Sequence, residues 1–242
     1  MTLTTQIRNR IKQLPNGKTF GYQDLCIDKK VYVTAAKIME RLQKDGFIKK
    51  LSKGQFYKPE ITVFGELKPD YNELLRPYLF ENGKRIAYET GTTLYNKLGF
   101  TTQNAFTIKI ASRGKQFSIN KENLKLKTVK SYAEISEKNY ETLGLLDVFK
   151  DIKEIPDCSV NKAINRLFVI INQQDAKQID QLIKYALVYP PRVRALLGAV
   201  LERIGNNKNG LDNLKNSLNP LTNIKLGVSE EVLPNKQNWN IE

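Results

Sequence analysis

The side chains with the most distinctive chemistry are basic and polar, and they are grouped near the start of the chain. Lysine and arginine bind phosphate oxygens, and arginine, lysine and threonine also contact the edges of bases. The candidate residues are Lys30, Thr34, Lys37, Arg41, Lys44, Lys49, Lys50, Lys53, Gln55 and Lys58. This set predicts binding of a polyanion rather than the making or breaking of covalent bonds.

The chain lacks residue types on which several kinds of active site depend. It contains no histidine, which excludes a Ser-His-Asp triad, a Cys-His pair and a histidine-ligated zinc site. It has neither a GxxxxGK[ST] nor a GxGxxG phosphate loop. Two cysteines, Cys26 and Cys158, are too few for a disulfide framework or a CxxC metal site. We therefore expect no catalytic residue, no cofactor and no metal ligand.

Scattered carboxylates leave one enzymatic alternative open. An enzyme acting on nucleic acid would have to draw its acidic groups from Asp147, Asp151, Glu154 and Asp157. Their spacing does not indicate a paired acid and base, and a solvated helix accounts for the same residues.

The net charge is consistent with a polyanionic partner. The chain has 39 Lys and Arg against 25 Asp and Glu, for a formal net charge of +14. Residues 1–59 alone carry 13 basic and 4 acidic side chains, a net charge of +9. Such a concentration favours nucleic acid or another acidic surface as the partner. The alternative, that the lysines simply keep the protein in solution, stays open.

Helices and a hairpin are predicted to position the candidate residues. The apolar spacing predicts a first helix up to residue 13, a short second helix or helical turn over 20–25, and a third helix over Tyr32–Lys44. The third helix is amphipathic, with an apolar face opposite a face of lysine, arginine and threonine. A glycine ends it, and residues 47–59 follow as a hairpin that turns at Gly54.

Three helices followed by a two-stranded wing is the element order of a winged helix-turn-helix domain, which we predict over residues 1–60. In such a domain the third helix lies in the major groove of duplex DNA, where Thr34, Lys37 and Arg41 would reach base edges. The hairpin lysines would then lie near backbone phosphates.

Two motifs resemble a known family, the AbiEi-type antitoxins of type IV toxin–antitoxin systems. The first is ERLQKDGFIKKLSKGQFYKP, which is similar to the end of that family's N-terminal winged helix. Its matching residues are Arg41, Leu42, Lys44, Gly46, Gly54, Phe56, Tyr57 and Pro59. The second is ETGTTLYNKLGFTTQNAF, where Phe100 replaces a more usual leucine. The resemblance spans residues 5–156.

The resemblance implies a transcriptional autorepressor that is also an antitoxin. Family members bind inverted repeats in the promoter of their own operon through the N-terminal domain. Their second domain is required to counter a nucleotidyltransferase toxin, usually without a stable complex, in systems that act in phage defence. We expect no enzymatic activity.

The rest of the chain completes a predicted α+β fold class. A mixed α/β antitoxin domain is expected over residues 61–157, with helices over 69–79 and 85–98 and strands between 105 and 129. A helical extension is expected over 158–205, with helices beginning near Ser159 and Asp175. Residues 206–242 are rich in asparagine and predict a loop-rich tail docked by Leu233 and Trp239.

A second binding alternative concerns the predicted strands of residues 105–129. Basic residues follow them, namely Lys109, Arg113, Lys115, Lys121, Lys125, Lys127 and Lys130. Together with Phe106, Phe117 and Tyr132 they are compatible with an RNA-binding or ribosome-associated module, because aromatic rings stack on unpaired bases. No RRM or KH signature occurs.

No membrane association is expected. The apolar runs, such as LFVII, are far shorter than the roughly 20 residues that a spanning helix needs. Charges interrupt the N-terminal stretch where the apolar part of a signal peptide would lie, so we expect a cytoplasmic protein.

Overall fold

The computed structural model describes residues 2–52, 54–63, 65–67, 69–114, 116–121, 124–205 and 208–242. The chain divides into two units, Met1–Lys84 and Arg85–Glu242. Helices and small sheets together confirm the mixed α+β class. The finer predicted boundaries at residues 60, 157 and 205 stay predictions. Lys53 and Lys115 lie outside the described residues.

The first unit combines helices with short strands. Its helices are α1 (Leu3–Gln13), α2 (Tyr32–Lys44) and α3 (Tyr71–Leu79), and a 3₁₀ helix covers Lys29–Val31. Its strands are β1 (Thr19–Gly21), β2 (Lys49–Ser52), β3 (Gln55–Tyr57), β4 (Glu60–Thr62), β5 (Gly65–Leu67) and β6 (Phe80–Glu81), and β7 (Lys84–Arg85) lies at the unit boundary. β1, β3 and β2 form an antiparallel sheet in that order. The bounds of α2 and the hairpin β2–β3 agree with the sequence-based expectation.

Of the two alternatives predicted for residues 20–25, the short helix is wrong, and turns are found in the second part of this range. Its first residues belong to β1, where Phe20 pairs with Phe56 of β3 and the two ring centroids lie 6.2 Å apart. The following residues form turns, held by a hydrogen bond from the Arg10 guanidinium to the Cys26 carbonyl oxygen (3.2 Å). Cys26, which ends these turns, has a φ of +47°. Burial of Phe20 in the sheet thus outweighs the helical spacing.

The second unit places a sheet beside a group of helices. Its strands are β8 (Ala87–Thr90), β9 (Ile108–Ser112), β10 (Ser118–Lys121) and β11 (Leu124–Lys130). Its helices are α4 (Thr92–Lys97), α5 (Tyr140–Lys150), α6 (Val160–Asn172), α7 (Ala176–Ala186), α8 (Pro191–Arg203) and α9 (Lys208–Asn216), and a 3₁₀ helix covers Lys236–Trp239. The sheet order is β10-β11-β9-β8, with β9 and β11 parallel and the other pairs antiparallel.

The single helix predicted over residues 85–98 is also wrong. Its first half is the strand β8, whose Tyr88 lies opposite Ala111 of β9, and only its second half is the helix α4. Gly91 separates the two with a φ of +70°, a conformation that favours glycine. The strands between 105 and 129 and the helices that Ser159 and Asp175 cap are confirmed.

The asparagine-rich C-terminal segment is docked on the helices of its own unit, as the sequence predicts. Leu233 and Trp239 are buried in the same apolar cluster as α5 and α8. The Trp239 indole lies directly over Gly198 of α8, where a side chain would leave no space for the ring. The Glu202 carboxylate accepts hydrogen bonds from the Trp239 indole (2.9 Å) and the Asn235 amide (2.5 Å).

The hydrogen bonds that Glu202 accepts predict that the C-terminal segment detaches from the helices at acidic pH. Burial alone would raise the pKa of Glu202, but hydrogen bonds from Asn235, Trp239 and Asn238 outweigh it and lower the pKa. A lowered pKa stabilises the fold above the ordinary carboxyl value of about 4.3, and the stabilisation is lost as pH falls through the lowered value. Trp239 is the single tryptophan, so its fluorescence should shift to longer wavelength over that acid range.

Glu202→Gln is the matched control for this expectation, because glutamine keeps an acceptor oxygen and cannot titrate. The variant should be less stable at neutral pH and should lose most of the acid-dependent shift. An acid transition of the same midpoint and size in both proteins would show that another group controls the segment.

None of the helices in the described part of the chain combines the length and the apolar composition that crossing a bilayer requires.

Candidate nucleic-acid interface

One side of α2 carries an exposed row of basic and polar side chains. Thr34, Lys37, Arg41 and Lys44 follow one another at intervals of three and four residues and are all exposed. This spacing keeps them on one side of a helix, along about 15 Å of its axis. We call these four residues the basic ridge. Its exposure is what the amphipathic pattern predicts.

The opposite side of α2 explains why the ridge faces solvent. The side chains there are buried in the core of the first unit, together with apolar residues of α1 and of the hairpin β2–β3. These buried residues are Ala35, Ile38, Met39, Leu42, Ile7, Ile11, Ile48 and Phe56. Since the apolar face of α2 is fixed in this core, the helix cannot turn the ridge inward without exposing that face.

The hairpin is attached closely to the end of α2. The backbone N–H groups of Phe47 and Ile48 both donate to the Leu42 carbonyl oxygen, at 2.9 and 3.3 Å. Gly46, just before them, has a φ of +69°, which lets the chain reverse there. The hairpin and the ridge therefore belong to one packed body of the first unit.

The candidate residues of the hairpin have different surroundings. Lys50 is exposed on β2. Lys49 forms an ion pair with Glu66 of β5, with 2.6 Å between ammonium and carboxylate. The hydroxyl of Tyr57 donates to the other oxygen of Glu66, and burial together with this contact raises the pKa of Tyr57 to about 12. Gln55 is half-buried, with its amide close to Gly21.

Two candidate residues lie away from the positions expected for phosphate contacts. Lys58 donates hydrogen bonds to the carbonyl oxygens of Lys12 (3.3 Å) and Leu14 (3.2 Å), at the C-terminal end of α1. Its ammonium thus satisfies carbonyl groups that the helix leaves unpaired. Lys30 is exposed but belongs to the 3₁₀ helix before α2, not to the ridge.

One acidic residue, Glu40, and one further basic residue, Arg8, are also exposed near the ridge. Glu40 is exposed and forms an ion pair with Lys44 (3.3 Å), which reduces the positive charge at the end of the ridge. Arg8 of α1 lies with its guanidinium 5.0 Å from the centre of the Phe47 ring, beside the end of α2. No local pattern in the sequence points to Arg8, because only the packing of α1 on α2 brings it there.

The carboxylates of the enzymatic alternative are separated rather than brought together. Asp157 is exposed and accepts a hydrogen bond from Gln103 (2.5 Å), and Glu154 is exposed. Only Asp147 and Asp151 lie near each other, with Lys150 between them at 3.8 and 3.0 Å. Among the described residues no group of three or more Cys, Asp and Glu could hold a metal ion.

Asp147 is instead the centre of a buried polar cluster in the second unit. It accepts hydrogen bonds from the hydroxyls of Tyr88 (3.0 Å), Thr90 (2.8 Å) and Tyr189 (3.3 Å). Burial raises the pKa of Asp147, against the opposing effects of Lys150 and the hydroxyl donors. Three hydroxyl donors from β8 and from the segment before α8 thus surround this buried carboxylate.

Comparison with known proteins places the chain in a family. The model of the family of unknown function DUF6088 matches residues 6–179, well over half of the chain. The chain belongs to this family. The DUF6088 match covers the whole basic ridge and the hairpin behind it. No curated protein matches the sequence.

Solved structures with a similar fold include the crystal structure of the RV2827C protein from Mycobacterium tuberculosis, with a TM-score of 0.56 and 10% sequence identity. The similarity covers 97% of this chain and 88% of that chain. At so low an identity it concerns the fold alone.

Proposed function

We propose that this chain is a DNA-binding transcriptional autorepressor whose first unit acts as a winged helix-turn-helix. The observation that carries the proposal is the basic ridge, exposed on α2 and packed in one body with the hairpin β2–β3. A helix about 10 to 12 Å in diameter fits the major groove, which is about 12 Å wide. The ridge supplies two long cations, Lys37 and Arg41, at the middle of that helix.

The order of elements supports the same proposal. α1, β1, a turn segment, α2 and the hairpin follow the winged-helix order, with the turn segment in the place of the second helix. α2 would be the recognition helix, and Lys50 of the hairpin would contact the backbone. Lys49 and Lys58, which are engaged within the unit, would contribute less.

The antitoxin part of the proposal rests on the two sequence motifs that resemble AbiEi-type antitoxins. On that basis the second unit would counter a nucleotidyltransferase toxin, with or without direct contact. The buried Asp147 cluster and the docked C-terminal segment support a stably folded second unit. We assign no catalytic role to it. A nucleotidyltransferase gene next to this one would support this part, and co-expression of the two proteins would test it.

The DNA-binding part of the proposal predicts that substitutions in the basic ridge weaken binding to the promoter duplex in particular. We expect a duplex from the gene's own promoter to bind more tightly than an unrelated duplex of equal length. Lys37→Ala or Arg41→Ala should cost about 1 to 3 kcal/mol on the promoter duplex and less on the unrelated one, because each removes a base contact. Fluorescence anisotropy at several salt concentrations measures both affinities and the salt slope.

Two further variants distinguish contacts with bases from contacts with backbone phosphates. Lys50→Ala should weaken both duplexes to a similar extent and reduce the salt slope by about 1, as expected for one phosphate contact. Lys177→Ala removes an exposed charge from α7 and should change neither affinity. Equal affinity of the unmodified protein for the two duplexes would rule out a sequence-specific repressor.

A further inference from the structure

We propose that the exposed part of one face of the four-stranded sheet in the second unit binds single-stranded RNA. The surface consists of Lys109, Lys125, Lys127 and Phe106, and we call it the sheet patch. The proposal concerns a different unit and a different ligand from the DNA-binding proposal, and it does not depend on it.

Strand register places the three lysines on one face of the sheet. Lys109 of β9 lies directly opposite Lys127 of β11. Lys125 is two residues from Lys127 on the same strand, and residues so spaced share a face about 7 Å apart. Ser118 and Asn120 of β10 lie opposite Lys127 and Lys125 and extend this face with polar groups.

The burial pattern shows which part of this face is open. Tyr88 and Ala111 lie on the same face toward one end of the strands and are buried in the core of the unit. At the other end all three lysines are exposed. Thr90 of β8, directly opposite Lys109, is nevertheless buried, so the helices cover this face along β8 and leave it open toward β11 and β10. The sheet patch lies in that open part.

The charges of the sheet patch are not balanced within the described residues. Cross-strand neighbours have side-chain origins about 5 Å apart, and like charges directly opposite are destabilising. Among the residues that the structure describes, no carboxylate lies within ion-pair distance of Lys109, Lys125 or Lys127. Glu89 of β8 lies on the opposite face, across from Ile110, and pairs with Lys97. A phosphate bound at each of these two lysines would remove the repulsion.

The position of Lys109 is built into the fold. Its aliphatic chain runs across Gly91, where the Cβ of any other residue would lie 2.8 Å from Cδ of the lysine. Gly91 has a φ of +70°, so two separate constraints favour glycine there. Gly91 follows β8, and β8 and β11 flank β9 on opposite sides, so this contact holds the Lys109 chain toward β8 rather than toward Lys127.

Phe106 adds a site for a base. Its side chain is 87% exposed, which is unusual for a phenylalanine, and the Lys125 ammonium lies 4.9 Å from the ring centre. An exposed aromatic ring beside a row of cations is the arrangement that binds unpaired bases by stacking and their backbone by charge. Tyr132 does not take part, because its ring stacks on Tyr189 with centroids 4.4 Å apart.

The geometry favours an unpaired strand over a duplex. Stacking on Phe106 requires a base that is not already stacked between neighbours, and a duplex offers such a base only after distortion. Unpaired bases are mainly available in loops, bulges and ends of RNA, and the 2′-hydroxyl can bond polar groups such as the Asn120 amide. We therefore assign single-stranded RNA, not DNA, to the sheet patch.

The test measures binding of an unstructured RNA oligonucleotide of about 12 residues to the full chain, a length that matches the sites of known single-strand binders. Phe106→Ala should weaken binding about tenfold or more through the loss of one stacked base. Lys109→Ala with Lys127→Ala should reduce the salt slope by about 1.4, because each phosphate on a single strand contributes about 0.7. Circular dichroism verifies that each variant is folded.

The matched control variants remove an exposed apolar or basic side chain outside the sheet patch. Leu221→Ala removes another highly exposed apolar side chain (90%), and Lys177→Ala another exposed cation, and both should leave RNA binding unchanged. Lys37→Ala with Arg41→Ala should change RNA binding far less than the sheet-patch variants do, so this proposal and the DNA-binding proposal fail independently. RNA affinity that is insensitive to Phe106→Ala and to the double lysine variant overturns the proposal. So does tighter binding of a DNA strand of the same sequence.

Discussion

Gly198→Ala is expected to destabilise the second unit by about 3 kcal/mol or more, a large effect for one methyl group. A side-chain carbon at Gly198 would lie 2.0 Å from Cζ3 and 2.2 Å from Cη2 of Trp239, well inside contact distance. The indole cannot easily move, because it is 1% exposed and its N–H is bonded to Glu202. Urea unfolding followed by circular dichroism measures the loss.

A double-mutant comparison shows whether the clash is the cause. Trp239→Ala alone should cost about 3 to 5 kcal/mol through the cavity it leaves. Once the ring is absent, Gly198→Ala should become neutral or stabilising by up to about 1 kcal/mol, because alanine is the better helix former. Arg203→Ala on the same helix serves as an exposed control. A similar cost of Gly198→Ala with and without Trp239 contradicts the account.

Asp147→Ala is expected to cost about 3 to 5 kcal/mol, the cost typical of breaking a buried, paired charge. The substitution would leave the hydroxyls of Tyr88 and Thr90 without their acceptor and would remove one of the two carboxylates beside Lys150. These groups come from β8 and α5, so the cluster ties the sheet to the helices. Thermal and urea unfolding of the full chain measure the change.

Asp147→Asn and Glu154→Ala are the matched controls. Asparagine keeps an acceptor and should cost less than alanine, and Glu154 is exposed and should be near neutral. Burial raises the pKa of Asp147, so the folded chain binds this proton more tightly than the unfolded chain does. The unmodified protein should therefore exceed Asp147→Asn in free energy of unfolding by the largest margin below about pH 4. This margin should shrink as pH rises through the raised pKa of Asp147. Equal stability of Asp147→Ala and Glu154→Ala would show that the cluster is not stabilising.

Local spacing in the sequence determined the parts of the fold that depend on it alone. The amphipathic period of α2 defined its bounds, its buried side and the exposure of Lys37 and Arg41, because an apolar face must pack whatever it packs against. Gly46 marked the end of α2 and Gly54 the turn of the hairpin, because glycine favours the positive φ that both positions have. Charge composition likewise indicated a polyanionic partner without reference to the fold.

Tertiary structure decided the roles of residues that look alike in the sequence. Lys50 and Lys58 look equivalent in the sequence, yet the end of α1 engages only Lys58. Residues 20–25 have helical spacing, but pairing with β3 makes their first part a strand. Asp147 reads as a solvated helix residue until β8 brings Tyr88 and Thr90 to it. In each case the deciding partner is distant in the chain, and spacing along a sequence carries no information on which distant groups meet.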